Sequence, residues 1–231
     1  MTSDQQTIRP SGQSRNWRNG EVNQNLRGGG YNFEDMSEEN IQFSLPVDDV
    51  KWAIAVSQNS VEKWSERKGY YNNRLNSHLK GKLGELAVEK YLLGKKFKLD
   101  SHFRFSEREN LCDIVIKVRK YTKIYRLEIK TWSANYWQEL GRCIAVDQYP
   151  ILKKKADFII WCVVNSTVVD ELLKKPQSVL VSLVGWSKIN EIPNAPIKDT
   201  GTGEMRKVKN YQLAEEDIHP ILVFTDEGLI A

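Results

Sequence analysis

The chain has 231 residues, of which 40% are hydrophobic and 10% aromatic. That is enough apolar material for one generous domain and too little length for two full enzyme domains. Its 34 Lys and Arg against 30 Asp and Glu leave a formal charge of +4, which permits a polyanionic partner and excludes a histone-like polycation. The longest strongly apolar run, Phe158 to Val164, is far below the roughly 20 residues a bilayer helix needs, so no membrane partner is expected.

Met1 to Gln6 carry no apolar stretch behind a basic start, which reads against secretion. Cys112, Cys143 and Cys162 are widely spaced and form no Cys-x-x-Cys pair. A disulfide framework and a zinc knuckle are therefore not expected, and the setting reads as reducing and cytoplasmic. Residues 1–45 are rich in Asn, Gln, Arg, Ser and Gly, include Gly28-Gly29-Gly30, and hold few aliphatics. Such a segment cannot bury enough apolar surface to offset its ordering entropy, so it reads as a flexible polar arm. Arg9, Arg15, Arg18 and Arg27 suit phosphate contacts; a solubilising tail with no partner explains them equally well.

From Pro46 the chain reads as a folded domain, residues 46–231. Helical spacing predicts a first helix over Asp48–Ser57, with Asp48 or Asp49 at its start, and a second over Val61–Tyr71 carrying Trp64. A third is predicted over Leu79–Leu93, with Leu83, Leu86, Ala87, Tyr91 and Leu92 facing inward and Gly94 as its stop. Lys82, Glu85 and Glu89 fall on its polar margin. The period then changes. Leu111–Val118 and Ile124–Thr131 alternate and are rich in β-branched residues, which predicts two strands joined by a short polar hairpin turn. An Asp-started helix is expected over Asp147–Ala156, with Pro150 tolerable in its first turn. A buried strand over Asp157–Val164 follows, and together they make a crossover unit. A strand over Val179–Trp186, a turn-rich stretch and a closing strand around Ile221–Phe224 complete the chain.

The hairpin carries the chemistry. With Arg119-Lys120-Tyr121-Thr122 as the loop, facing positions sum to 241, so Asp113 faces Glu128. Lys130 lies two residues further along the same face. Ile114, Ile116, Leu127 and Ile129 form the opposite, apolar face. Two facing carboxylates repel, and a bound proton, a nearby cation or a metal must offset that. Acidic oxygens with a backbone carbonyl and water suit a hard cation such as Mg²⁺. A lysine beside them can hold a water and offset developing negative charge, which is the equipment for hydrolysing a phosphodiester.

Asp113 followed by Glu128-Ile129-Lys130 resembles the PD-(D/E)xK, or restriction-endonuclease-like, nuclease superfamily. Gly81-Lys82-Leu83-Gly84-Glu85-Leu86-Ala87 looks like the helix that carries a further acid, here Glu85, in many members. The resemblance covers about residues 79–164 and departs at Cys112, where the signature has proline. It implies an α/β fold with a restriction-endonuclease-like core: helix, three-strand meander, helix, strand, in a mixed sheet flanked by helices. A helical N-terminal extension precedes that core, and residues 165–231 are additions. It further implies a Mg²⁺-dependent endonuclease acting on DNA, with Mn²⁺ as substitute cofactor. Asp113, Glu128 and the Ile129 carbonyl would hold the metal. Lys130 would position the water, and Glu85 would bind a second metal or orient a water. Cleavage would leave a 5′-phosphate and a 3′-hydroxyl.

Each residue also has a plainer reading. Asp113, Glu128 and Lys130 could form a surface ion-pair cluster with Arg126. Glu85 could simply pair with Lys82, Asp147 could cap a helix, and Lys153-Lys154-Lys155 reads as a solvated patch. Candidate nucleic-acid contacts are Lys82, Gln148, Arg119 and Lys120, within a diffuse set of basic residues interleaved with aromatics. The expected partner is double-stranded DNA, and a homodimer is compatible with cutting both strands. The alternative is a catalytically silent nucleic-acid-binding protein with a nuclease-like fold. His78, His102 and His219 make no metal-binding motif, and there is no phosphate-binding glycine loop or Gly-x-Ser-x-Gly elbow. Zinc protease and His-Asn-His nuclease readings thereby fail, and neither nucleotide-driven activity nor a serine hydrolase elbow is indicated.

Overall fold

The computed structural model describes residues 40–63, 74–105, 108, 111–118, 123–137, 141–200 and 208–225. The polar arm before residue 40, the stretch 64–73 with Trp64, and the hairpin loop with Arg119 and Lys120 lie outside the described residues.

In chain order the elements are β1 (Ile41–Leu45), α1 (Val47–Lys63), α2 (Arg74–Gly94), β2 (Lys98–Ser101), β3 (Ile114–Lys117) and β4 (Ile124–Ser133). Then come α3 (Ala134–Trp137), β5 (Cys143–Ala145), α4 (Tyr149–Lys155), β6 (Phe158–Val164) and α5 (Ser166–Lys174). The last are β7 (Val179–Lys188), β8 (Ile197–Thr200), β9 (Val208–Gln212) and β10 (His219–Pro220). The main sheet runs β1-β7-β6-β4-β3-β2, with β10 also on β7, and β5-β9-β8 form a small second sheet. Among the described residues β4 and β6 alone pair in parallel; the other neighbours in the main sheet are antiparallel. A parallel pair needs a crossover, and α4 lies in the connection between them.

The burial of β6 shows how the layers form. All seven of its residues are buried. Phe158, Ile160, Cys162 and Val164 join one core with Leu79, Leu83, Leu86 and Ala87 of α2 and Val50 and Ala53 of α1. Ile159, Trp161 and Val163 point the other way, into a second core with Leu152 and Ala156 around α4. A strand covered on both faces loses the alternation of a half-exposed one, which is why its sequence is a continuous apolar run. Trp161 can be wholly buried because its Nε1–H donates to Ser187 Oγ at 2.9 Å.

Several expectations change. Residues Ile41–Leu45, read as the end of the polar arm, are a strand paired with Leu183–Val179 of β7. Its alternating Ile41, Phe43 and Leu45 pack on the core. Helix α1 runs unbroken through Asn59 and Ser60. Ser57 Oγ and Ser60 Oγ donate to the carbonyls of Ala53 and Val56, four residues back, so their hydroxyls are satisfied within the helix. The closing strand is a 3₁₀ turn, Ile221–Val223, after the two-residue β10. Ile221 and Phe224 are apolar because they plug the core, not because they extend a ladder. Helix α4 begins at Tyr149, not Asp147, with Gln148 as its first flanking residue and no side-chain cap. No described helix is long and apolar enough to cross a membrane.

Candidate functional site

The hairpin register is the expected one. Ile114 faces Leu127 and Lys117 faces Ile124, each pair summing to 241. Ile114, Ile116, Leu127 and Ile129 are buried together in the α2-side core, so Glu128 and Lys130 lie on the opposite face of β4. The ladder ends one step short of the expected Asp113–Glu128 pair. Asp113 N–H donates to the Leu127 carbonyl at 2.9 Å, and Leu127 already faces Ile114. The chain leaves β4 at this point, and the Ile129 N–H would lose its partner on that edge. The Asp113 side chain supplies one: Oδ2 accepts from Ile129 N at 2.7 Å. A buried amide is thereby satisfied by a carboxylate instead of a backbone carbonyl.

Helix α2 brings Glu85 within electrostatic reach of Asp113, Glu128 and Lys130. Gly84 rests on β4 so closely that a Cβ there would overlap the Thr131 hydroxyl. Lys80 Nζ, one turn earlier, donates to Ser133 Oγ at 2.8 Å. The glycine in Leu83-Gly84-Glu85 therefore permits the close approach that sets the acid beside the strand.

Three acids and three ammoniums meet here. Glu128 is 5% exposed, with Lys130 on Oε1 at 2.8 Å and Lys155 on Oε2 at 2.7 Å. Glu85 pairs with Lys82 at 2.6 Å. Burial, followed by repulsion from Glu128 and Glu85, pushes the Asp113 carboxyl well above the usual aspartate range. Burial also raises Glu85, against the pull of Lys82. Burial opposes ionisation of Glu128, yet Lys130 and Lys155 together hold it below the ordinary glutamate range. Burial would lower Lys130, but Glu128, with Asp113 and Glu85 behind it, keeps it raised. One acid is thus clamped as an anion while two neighbours resist ionising. Cys112, where the motif has proline, is buried. Its thiol is pushed up to about 11, and its Sγ lies 3.8 Å from His102 Nδ1.

Among the described residues no three His, Cys, Asp or Glu side chains present a ready-made metal set. The expected ligands Asp113, Glu128 and Glu85 are engaged by the Ile129 amide and by lysines. Arg126 does not join the cluster; it binds Asp157 at 2.8 Å and the Lys154 carbonyl at 2.6 Å. Lys155 is the residue that sequence reasoning placed wrongly, as part of a solvated patch. Lys153 and Lys154 are exposed, but Lys155 turns inward, and only the crossover from β4 to β6 sets it above Glu128.

Of the candidate nucleic-acid contacts, Lys82 is held by Glu85 and sits 5.5 Å from the Phe103 ring centroid, and Gln148 is exposed. Other basic residues are engaged internally: Arg104 with Glu89, and Arg108 with Asp100 at 2.8 Å.

No protein-family model, curated protein or solved structure matches the chain. Its described residues define a mixed α/β protein with a six-strand mixed sheet and helices, and an Asp-Glu-Lys cluster in which Glu128 is buried and Asp113 and Lys130 are half-buried, where β3 leaves β4.

Proposed function

We propose that this chain is a Mg²⁺-dependent nuclease of the PD-(D/E)xK kind, cutting phosphodiester bonds within DNA. The observation that carries the reading is that Asp113, just before β3, Glu128 and Lys130 of β4 and Glu85 of α2 lie within electrostatic reach of one another. The order α2, β2–β3–β4 meander, α4, β6 is the order of a restriction-endonuclease-like core and supports the same reading.

The residues suit a hard divalent cation. Its ligands would be carboxylate oxygens of Asp113 and Glu128 and the carbonyl of Ile129. In an extended strand the N–H and C=O of one residue leave on the same edge, so that carbonyl belongs to the edge Asp113 closes. Raised by burial and by the neighbouring acids, the Asp113 carboxyl would ionise more readily if positive charge arrived. A bound Mg²⁺ would polarise the phosphate and ease deprotonation of a water. Lys130, kept protonated chiefly by Glu128, would hold the attacking water and offset charge building on the phosphate. Glu85, with its raised affinity for a proton, would orient a water or take a second ion.

The test is nicking of supercoiled plasmid with and without Mg²⁺. Wild type should cut only with the ion, and Asp113→Asn and Lys130→Met should lose at least about a hundredfold in rate. Full activity in either variant would refute the assignment. A specific observation favours a second reading, a nucleic-acid-binding protein without catalysis: every one of the three acids already has an internal partner. Salt-sensitive DNA binding with no cleavage in Mg²⁺ or Mn²⁺ would establish it.

A further inference from the structure

Lys155 is the last residue of α4, a seven-residue helix. Its ammonium lies 2.7 Å from Glu128 Oε2, while Lys130 lies 2.8 Å from Oε1 of the same carboxylate. The Glu128 side chain is 6% exposed and that of Lys155 22%. One buried negative charge therefore has two ammoniums on it, although Lys130, two residues along the same face of β4, suffices to neutralise it. Withdrawing a second ammonium from water for one carboxylate carries a desolvation cost that the pairing repays only in part, so this ion pair is one that a stronger cation can displace. A hard divalent ion seeks the same oxygen. Lys155 also has solvent to turn into, since the preceding Lys153 and Lys154 are exposed.

We infer that Lys155 is a positioning residue that stands in for the cation. It holds Glu128 Oε2 in the metal-free protein and releases it when a divalent ion binds. The inference rests on the metal-site reading above and adds to it a tethered competitor that sets the ion's apparent affinity.

The experiment is calorimetric titration of the full chain with Mn²⁺ and Ca²⁺. Lys155→Met should bind the ion about tenfold more tightly than wild type, and Lys155→Arg, which keeps the charge, should stay within about threefold. In a Glu128→Gln background the gain from Lys155→Met should vanish. If wild type binds the ion and Lys155→Met binds it no better, the inference falls and the metal site stands. If wild type binds no ion, the metal site falls with it. A second measurement needs no variant that loses the charge. In chain carrying ¹³C-methylated lysines, the Lys155 resonance, assigned through Lys155→Arg, should shift in step with Ca²⁺ saturation. A Lys155 signal unmoved at saturation overturns the inference.

Discussion

Asp113 Oδ2 accepts a 2.7 Å hydrogen bond from the backbone N–H of Ile129, so one carboxylate both closes the sheet edge and lies within electrostatic reach of Glu128. Structure and chemistry can be separated at this residue. Asp113→Asn keeps an oxygen for Ile129 and removes the like charge, so without metal it should be as stable as wild type or more so. Asp113→Ala leaves a buried amide unpaired and should lose about 1–3 kcal/mol. Urea unfolding of the two variants checks this, and both should lose divalent-ion binding.

The same charge crowding gives a pH dependence with a definite sign. Asp113 and Glu85 have raised values in the folded chain, so the folded state holds their protons more tightly than the unfolded one. Their contribution is fully present below the ordinary carboxyl range and is lost as pH rises through the raised values. Glu128 is lowered and acts oppositely: its contribution is present above the ordinary glutamate range and lost as pH falls through the lowered value. Metal-free wild type should therefore lose stability relative to Asp113→Asn as pH rises above the ordinary aspartate range. Divalent-ion affinity should rise over the same interval, because the ion displaces those protons. Thermal melts across pH, with and without Ca²⁺, measure both.

Gly84 sets the distance between α2 and β4. Gly84→Ala should cost about 1–3 kcal/mol, because its Cβ meets the Thr131 hydroxyl. Thr131→Ala should restore most of that loss in the double variant. Among the described residues Thr131 Oγ1 is buried without a hydrogen-bond partner, so Thr131→Val should be neutral or stabilising. Chemical denaturation of wild type, the three single variants and the double variant tests the set. A loss in Gly84→Ala that Thr131→Ala leaves untouched would place the clash elsewhere.

Arg126 separates fold from binding. It fastens β4 to Asp157 and the Lys154 carbonyl, on partly exposed side chains, so Arg126→Ala should lower stability by only about 1 kcal/mol. It should leave the salt slope of DNA binding unchanged, since an arginine held by a carboxylate releases no counterion from phosphate. Anisotropy titrations at several salt concentrations distinguish this from a phosphate contact, which would reduce the slope by about one.

Where short-range periodicity decides structure, the amino-acid order was enough. The inward set of α2, the facing positions of β3 and β4, the apolar opposite face and the fully buried β6 were all legible, because alternation and helical spacing record which side meets the core. The juxtaposition of Glu128 with Lys130 followed from the same period of two. Elements read poorly where burial and secondary structure part company: Ile221 and Phe224 are core plugs on a 3₁₀ turn, and β1 gains its strand character from pairing with β7, nearly 140 residues away in sequence.

Long-range placement was decided by the tertiary structure alone. Asp113 departs from the ladder to satisfy an amide on another strand, an outcome no local pattern encodes. Lys155 looks like its two solvated neighbours until the crossover carries α4 over β4 and turns that one ammonium onto Glu128. Charges on separate elements reveal their partners only when packing brings them within a few ångströms and excludes the water that would otherwise screen them.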